Sequence, residues 1–182
     1  MMMKMEYHNP VLLKETVDGL NIKPNGIYVD VTFGGGGHSR EIMSRLGESG
    51  KLVAFDQDED ALQNAINDER FLLINENFRN IKRFLRFHGI KQVDGVLADL
   101  GVSSHQFDVA ERGFSTRFDA ELDMRMSKRD SLSAFHVVND YDEKDLKRVL
   151  FQYGELKNGG AMANVIVSAR KEKQIRNTEQ LK

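Results

Sequence analysis

The sequence predicts a doubly wound α/β domain built on a parallel sheet. Four short apolar runs carry this prediction, at 27–29, 52–55, 71–74 and 93–98. Their apolar residues are continuous rather than alternating, as expected for strands that are buried on both faces. Helix-like stretches separate the runs, and alternation of strand and helix is typical of this fold class.

The predicted helices have apolar residues at helical spacing. Between and after the strands they lie at 39–46, 59–66 and 78–87, and Asp58 is the expected N-cap of the second. Beyond residue 100 the pattern changes: 101–130 is polar and poor in strands, and further helices are predicted at 131–138, 142–153, 161–172 and from 178 onward. In the helix at 142–153, Leu146, Val149, Leu150 and Tyr153 share one face.

Composition narrows the class of protein. The chain has 182 residues, 40% of them hydrophobic, which suits one ordinary domain or a core with a small appendage. Without cysteine, disulfides and cysteine-based zinc sites are excluded. No apolar run approaches the roughly 18 residues of a membrane span, so a cytoplasmic protein without membrane contact is expected. Because the net charge is -2, any binding of nucleic acid needs a local basic patch.

A glycine-rich turn follows the first predicted strand. Gly34 to Gly37 stand between that strand and a helix, where the backbone can turn tightly and a ligand can approach it. The helix that follows offers free N–H groups at its start. A flexible surface loop is the alternative reading.

Three acids end predicted strands. Asp56 lies nineteen residues after Gly37 at the end of the second strand, where a carboxylate can accept bonds from both hydroxyls of a ribose. A helix cap or a solvated loop acid is the alternative. Asp99 ends the fourth strand, and Asp30 ends the first. We therefore expect all three acids to line one crevice at the carboxyl ends of the strands.

The kind of nucleotide is indicated by Asp30. A pyrophosphate cofactor would favour a clear G-x-G-x-x-G pattern, whereas here an acid stands four residues before the glycines. This arrangement resembles the first motif of class I methyltransferases. The acid could orient the turn or meet the amino group of a methionine moiety. The glycine turn alone would also allow a nicotinamide-dependent oxidoreductase.

Five motifs in order then resemble one family, the bacterial 16S ribosomal RNA cytosine-N4 methyltransferases of the RsmH (MraW) type. The motifs cover nearly the whole chain. They are His8 to Leu13, Asp30 to Ser39, Asp99 to Ser104 with Gln106, Ala110 to Ser115, and Leu122 to Met126.

The resemblance implies a class I sheet of the kind that binds S-adenosylmethionine (SAM), a Rossmann-like domain, interrupted by an inserted helical domain that meets RNA. We place the first at 1–107 and the second at 108–182. The resemblance also implies a cytosine in the decoding region of 16S rRNA as substrate. The implied SAM contacts are Gly36, Gly37, His38, Asp56, Phe78, Asp99 and Gln106, to which the turn itself adds Asp30 and Gly34.

The chain departs from the family pattern in three places. Ala120-Glu121 stands where Gly-Pro is usual, and 156–167 carries few charges where a basic helix is usual. Family members also continue for about another domain, so we expect this sheet to be incomplete and the chain to be a truncated form. A non-catalytic RNA-binding module is a third hypothesis, and a homodimer is left open.

Methyl transfer to cytosine needs help with a poor nucleophile, because the lone pair of the amine is delocalised into the ring. A group that accepts the N–H bonds of this amine would localise the lone pair. Asp99 is the first candidate for this catalytic role, and Ser103, Ser104 and the carbonyls of 100–102 are alternatives. Asp99 could instead serve only the cofactor.

Other candidate residues have a functional and a structural interpretation. His38 could contact the cofactor or support the helix, and Phe78 could lie against the adenine ring or in the core. His8 could pack the N-terminal arm. The histidines lack metal-ligand spacing, so no catalytic metal is expected. Two basic runs could meet RNA phosphates or be solvated: Arg79, Lys82, Arg83, Arg86 and Lys91, and the favoured run of Arg112, Arg117, Arg125, Lys128 and Arg129.

Overall fold

The protein is described by a computed structural model for residues 10–182. The predicted His8 and the start of the first motif lie outside the described residues. The chain divides into two compact units, with the boundary between Ser103 and Ser104. Each unit is described by itself below.

The first unit holds a four-stranded parallel sheet in the order β3-β2-β1-β4. Its strands are β1 (Ile27–Asp30), β2 (Lys51–Phe55), β3 (Phe71–Ile74) and β4 (Gly95–Leu97). All four predicted strands are confirmed. Because β1 pairs with β2 on one side and with β4 on the other, the order of connection reverses beside β1. In open α/β sheets, ligands bind at this switch point, outside the carboxyl ends of the strands.

Helices cover both faces of the sheet, as the doubly wound prediction requires. α1 (Leu13–Gly19) packs on α2 (Gly37–Arg45), and Val17, Ile42 and Leu46 join Tyr28 and Leu52 in one core cluster. On the opposite face, α3 (Ile81–Phe87) packs Ile81, Phe84 and Leu85 against the cluster of Val29, Val31, Val53, Phe55 and Ile74. α3 follows a 3₁₀ turn at Phe78–Asn80.

One prediction for the first unit needs correction, and one helix of this unit was missed. The helix expected at 59–66 is a 3₁₀ helix, Glu59–Asn64, that ends where Ala65 adopts extended backbone. Only Ala61 in it is buried, while Leu62 stays 43% exposed, so little apolar burial favours a longer α-helix. The predicted cap is confirmed, since Asp58 accepts a bond from the Asp60 amide. α1 was not predicted, because Val17 is its one buried side chain and no apolar stripe marks it.

The regular secondary structure of the second unit consists of helices and an isolated bridge between Glu121 and Asn177. Its helices are α4 (Ser104–Asp108), α5 (Ala134–Asp140), α6 (Glu143–Gln152), α7 (Gly159–Glu172) and α8 (Thr178–Leu181), with a 3₁₀ turn at Ala110–Arg112. α6 and α5 both pack on α7. Leu122, Val138 and Ile175 form its core cluster.

The helix predicted at 142–153 is confirmed, but Tyr153 does not belong to its packed face. Leu146 is buried, whereas Tyr153 is 81% exposed at the C-terminal cap. α5 begins three residues later than predicted because Ser133 and His136 form a capping box there. Among residues 10–182, no helix is long and apolar enough to cross a membrane.

Candidate cofactor site at the carboxyl edge of the sheet

The glycine turn lies at the switch point and is held from both sides by the sheet. Just after β1, the Val31 amide donates to Leu97 of β4 and the Phe33 amide donates to Phe55 of β2, each at 3.0 Å. The turn therefore begins between the carboxyl ends of β4 and β2. Its position is fixed by backbone pairing rather than by flexible side chains.

Two glycines of the turn adopt backbone that other residues disfavour. Gly34 has φ 51° and Gly36 has φ 76°, both in the left-handed region. A Cβ on Gly36 would lie 2.9 Å from the ring of Phe33, whereas one on Gly34 would meet only the Thr32 carbonyl, at 4.0 Å. Gly36 is thus required by packing, while Gly34 leaves open space beside the backbone.

Asp30 organises the turn from inside the core. Its side chain is fully buried, and one carboxylate oxygen accepts from the Thr32 amide at 3.0 Å while the other accepts from the Ser39 hydroxyl at 2.7 Å. Burial raises the pKa of this carboxyl, and the bonds from Ser39 and Thr32 oppose that rise. Of the two roles considered from the sequence, these bonds support orientation of the turn.

Asp56 ties the second strand to the same turn. One of its oxygens accepts from the Gly34 amide at 2.7 Å, and the other accepts from the Asp58 amide at 2.9 Å. Burial raises its pKa, and the neighbouring acids Asp58 and Asp30 add to the rise. Because a carboxylate has about four lone-pair positions, two remain for a ligand such as a ribose.

Asp99 joins the turn through Thr32. The Asp99 amide donates to the Thr32 hydroxyl at 2.8 Å, and the Asp99 side chain stays 64% exposed. The three strand-end acids therefore converge on one turn, as expected from the parallel sheet. Asp30 is buried within it, Asp56 lies half-buried at its side, and Asp99 faces solvent.

His38 is the second residue of α2 and is 5% exposed. Its Nδ1 lies 4.0 Å from an Asp99 oxygen, and its Nε2 is buried with no hydrogen-bond partner among residues 10–182. A buried polar atom without a partner is unfavourable by about 1–3 kcal/mol. The N-cap residue of α2 is Gly36, and no side chain of the described residues caps this helix start. Both features fit a polar ligand beside the turn.

Phe78 is not a core residue. It is 41% exposed at the start of the 3₁₀ turn after β3, beside Asn77, whose amide group donates to Gln57 at 2.7 Å. An exposed flat ring at the carboxyl edge suits an aromatic partner better than a core role.

The remaining predicted site residues divide between the two units. Ser103 is half-buried at the end of the first unit. Ser104 is exposed at the start of α4 in the second unit, and Gln106 is 5% exposed in the same helix. Their interpretation as site residues stays a prediction. No group of histidine and acidic side chains suited to a metal ion occurs in residues 10–182.

Sequence reasoning missed two residues that shape the turn. Thr32 bonds to both Asp30 and Asp99, and the Asn64 amide group donates to the Gly34 carbonyl at 3.1 Å. Thr32 stood inside the quoted motif, so its position was available. Nothing in the sequence pattern distinguishes Asn64.

The parallel sheet with its glycine turn is consistent with the class I methyltransferase fold. The chain belongs to the MraW methylase family, whose family model matches residues 5–182. It is 74% identical over 98% of its length to ribosomal RNA small subunit methyltransferase H of Flavobacterium johnsoniae, and covers 59% of that protein. The protein of the same name from Christiangramia forsetii is 68% identical over 100% of this chain and 60% of its own.

The similarity extends to more distant bacteria. Ribosomal RNA small subunit methyltransferase H of Bacteroides thetaiotaomicron is 60% identical over 95% of this chain and 57% of its own length. The chain thus spans about three fifths of the curated relatives it matches. A solved structure from Clostridium thermocellum, described as an rRNA methylase, matches 41% of this chain at 24% identity and a TM-score of 0.37, too low to carry an argument.

Proposed function

We propose that the chain forms the SAM-binding part of an enzyme that methylates the N4 amine of a cytosine in the decoding region of 16S rRNA. The observation that carries this proposal is the convergence of Asp30, Asp56 and Asp99 on one glycine turn at the switch point of the sheet. Membership of a methylase family and relatives named for ribosomal RNA methylation support the substrate.

The residues of the turn have distinct roles in this proposal. Gly34 leaves the backbone accessible to the cofactor, while Gly36 and Gly37 allow Phe33 and Pro10 to pack closely on the turn. The free lone pairs of Asp56 accept the ribose hydroxyls. The buried Nε2 of His38 gains a polar partner, and the exposed ring of Phe78 lies against the adenine. Asp30 keeps the turn in place through its bonds to Thr32 and Ser39.

SAM supplies an electrophilic methyl group when it is bound. The protein must then present the cytosine amine in line with that methyl group and accept the proton that the amine loses. Asp99 is exposed beside the turn and has the charge to accept an N–H bond from the amine. Ser103 and Ser104 are alternative acceptors, since both follow Asp99 closely along the chain.

Thermal-shift titrations of the chain with SAM and with NAD separate this proposal from an oxidoreductase. SAM is expected to raise the melting temperature, because a ligand that binds only the folded state stabilises it. A shift with NAD and none with SAM would contradict the proposal. Transfer of a tritiated methyl group from SAM to small ribosomal subunits then tests the substrate and separates an enzyme from a non-catalytic RNA-binding module.

A further inference from the structure

The first unit carries a segregated group of positive charge. Between residues 77 and 93 the chain has five basic residues and no aspartate or glutamate. All five are exposed. We call them the α3 basic face: Arg79, Lys82, Arg83, Arg86 and Lys91.

The fold directs this charge outward. Ile81, Phe84 and Leu85 of α3 pack into the core cluster under the sheet, and the ring of Phe84 meets Phe55 edge-on with centroids 6.2 Å apart. Residues three and four apart share one side of a helix, so Lys82, Arg83 and Arg86 line the opposite side together. The face is therefore held on a packed helix rather than on a loop.

These cations differ from most others in the unit. Lys14, Lys23, Arg45 and Arg70 each form an ion pair within the chain, with nitrogen–oxygen distances of 2.6 to 2.8 Å. Among residues 10–182, the side chains of the α3 basic face form no ion pair. In a chain of net charge -2, five unneutralised cations on one surface attract a polyanion locally.

An aromatic side chain accompanies the charge. Phe87, the last residue of α3, is 81% exposed, and it lines a surface depression with Lys82, Arg83 and Arg86. Exposing a phenylalanine ring to water is unfavourable unless a partner covers it. Cations along a backbone with an aromatic ring for a base are the usual means of binding single-stranded nucleic acid.

The position of the helix suits the proposed function. α3 follows β3 and Phe78, so its basic face begins at the same edge of the sheet as the glycine turn. From there it runs back along the sheet. An RNA strand that presents a base at the turn can continue across Arg79 and Lys82.

The second basic run, favoured from the sequence, is occupied within its own unit. Arg112 is buried and donates to the Arg125 carbonyl, Arg117 pairs with Asp108, and Arg125 pairs with Asp123. Lys128 and Arg129 also have interactions within the chain. The cations of the second run thus interact within the chain, whereas those of the α3 basic face form no ion pair among the described residues.

We propose that the α3 basic face binds the phosphates of single-stranded RNA next to the methylated nucleotide, with Phe87 stacked on a base. This inference rests on the proposed function, because it assigns a surface to the RNA of that reaction. It goes further in naming the element that holds the RNA and in separating two kinds of contact.

The test is fluorescence anisotropy of the full chain with a labelled single-stranded RNA over a series of salt concentrations. The variant Lys82→Gln/Arg83→Gln/Arg86→Gln is compared with a matched control on the second unit, Lys144→Gln/Lys147→Gln/Lys157→Gln, whose residues are equally exposed. The α3 variant should bind on the order of tenfold to 100-fold more weakly at about 0.1 M salt, with the salt slope reduced by about two. The control should bind like the parent chain.

Phe87→Ala separates stacking from charge. It should weaken RNA binding about fivefold or more while the salt slope stays unchanged, because stacking releases no counterions. All these side chains are exposed, so the melting temperature should not change, and circular dichroism checks this.

Three results would overturn the inference: no RNA binding by the parent chain, parent-like binding by the α3 variant, or an equal loss in the control. Binding to phosphatidylserine vesicles with no loss of RNA affinity in the α3 variant would assign the face to a membrane surface instead. Calorimetry with SAM is run on the same variants. Because the α3 basic face does not include the residues assigned to the cofactor, SAM affinity should be retained in these variants. Failure of the parent chain to bind SAM would count against the proposed function alone.

Discussion

The glycine turn of the first unit and the loop at 110–130 of the second unit are both held by charged side chains that bond to the backbone. The charges are opposite, because carboxylates hold the turn and a guanidinium holds the loop. In the turn, the buried carboxylate of Asp30 and the half-buried carboxylate of Asp56 accept bonds from backbone N–H groups. In the loop, the guanidinium of Arg112 is 3% exposed, donates to the Arg125 carbonyl at 2.9 Å and lies over the ring of Phe114. A loop next to a helix start presents donors and needs anions, whereas a loop of inward carbonyls needs a cation.

The two regions also differ in whether their charged groups remain available to a ligand. The oxygens of Asp56 keep lone pairs for a ligand, and Asp99 beside them is exposed. A guanidinium has donors only, and burial in the loop directs them to carbonyls of its own chain. We therefore expect the turn to respond to ligand and pH, and the loop to respond to loss of packing.

The largest expected loss of folding stability comes from a substitution in the loop at 110–130. Arg112→Ala removes a buried guanidinium and leaves the Arg125 carbonyl without this donor, so it should lower the free energy of unfolding of the second unit by about 3 kcal/mol. Arg117→Ala is the matched control, because its pair with Asp108 is 60% and 63% exposed and should contribute less than about 1 kcal/mol. Urea denaturation followed by circular dichroism compares them, and equal losses would show that burial of Arg112 is unimportant.

The turn should show a smaller, steric effect. Gly36→Ala places a Cβ 2.9 Å from Phe33 in left-handed backbone, whereas Gly89→Ala has a similar φ of 73° and nothing within 4 Å. Both variants lose about 1–2 kcal/mol from backbone strain, and Gly36→Ala should lose about 1 kcal/mol more from overpacking. Chemical denaturation measures both. If the two variants are equally stable, the packing of Phe33 does not require glycine at position 36.

The smallest expected effect is a change of folding stability and SAM affinity with pH. Because the pKa of Asp56 is raised above its usual value of 3.8, the folded chain takes up this proton at a higher pH than the unfolded chain. As the pH falls from neutral toward 3.8, Asp56 should thus favour folding more, while SAM affinity falls because the carboxylate becomes protonated. Calorimetry at several pH values tests this, and Asp56→Asn should abolish the dependence. A pH dependence that persists in Asp56→Asn would locate the titrating group elsewhere.

The sequence predicted those parts of the fold that depend on local pattern. The four strands were predictable because each buries a continuous apolar run, and α6 because Asp142 caps an amphipathic stretch. The carboxyl-edge position of Asp30, Asp56 and Asp99 followed from the parallel sheet alone. α1 and the 3₁₀ helix Glu59–Asn64 carry little buried apolar surface, so the pattern did not define them.

The hydrogen bonds that join distant loops at the site were not predictable from the sequence pattern. Thr32 meets Asp99 across 67 residues of chain, and Asn64 meets Gly34 across 30. Such bonds depend on where the sheet brings distant loops, which local propensity does not encode. The same holds for the two basic runs: the sequence shows their charge, but only the structure shows which cations have partners.

The account rests on Asp56 and the glycine turn holding SAM, and calorimetric titration of SAM into three forms of the chain tests this most directly. Asp56→Asn removes the charged ribose acceptor, and Glu48→Gln removes an exposed acid from the loop between α2 and β2. We predict a loss of about 1–3 kcal/mol of binding free energy in Asp56→Asn and none in Glu48→Gln. An unchanged affinity in Asp56→Asn, or the same loss in both variants, would contradict the account.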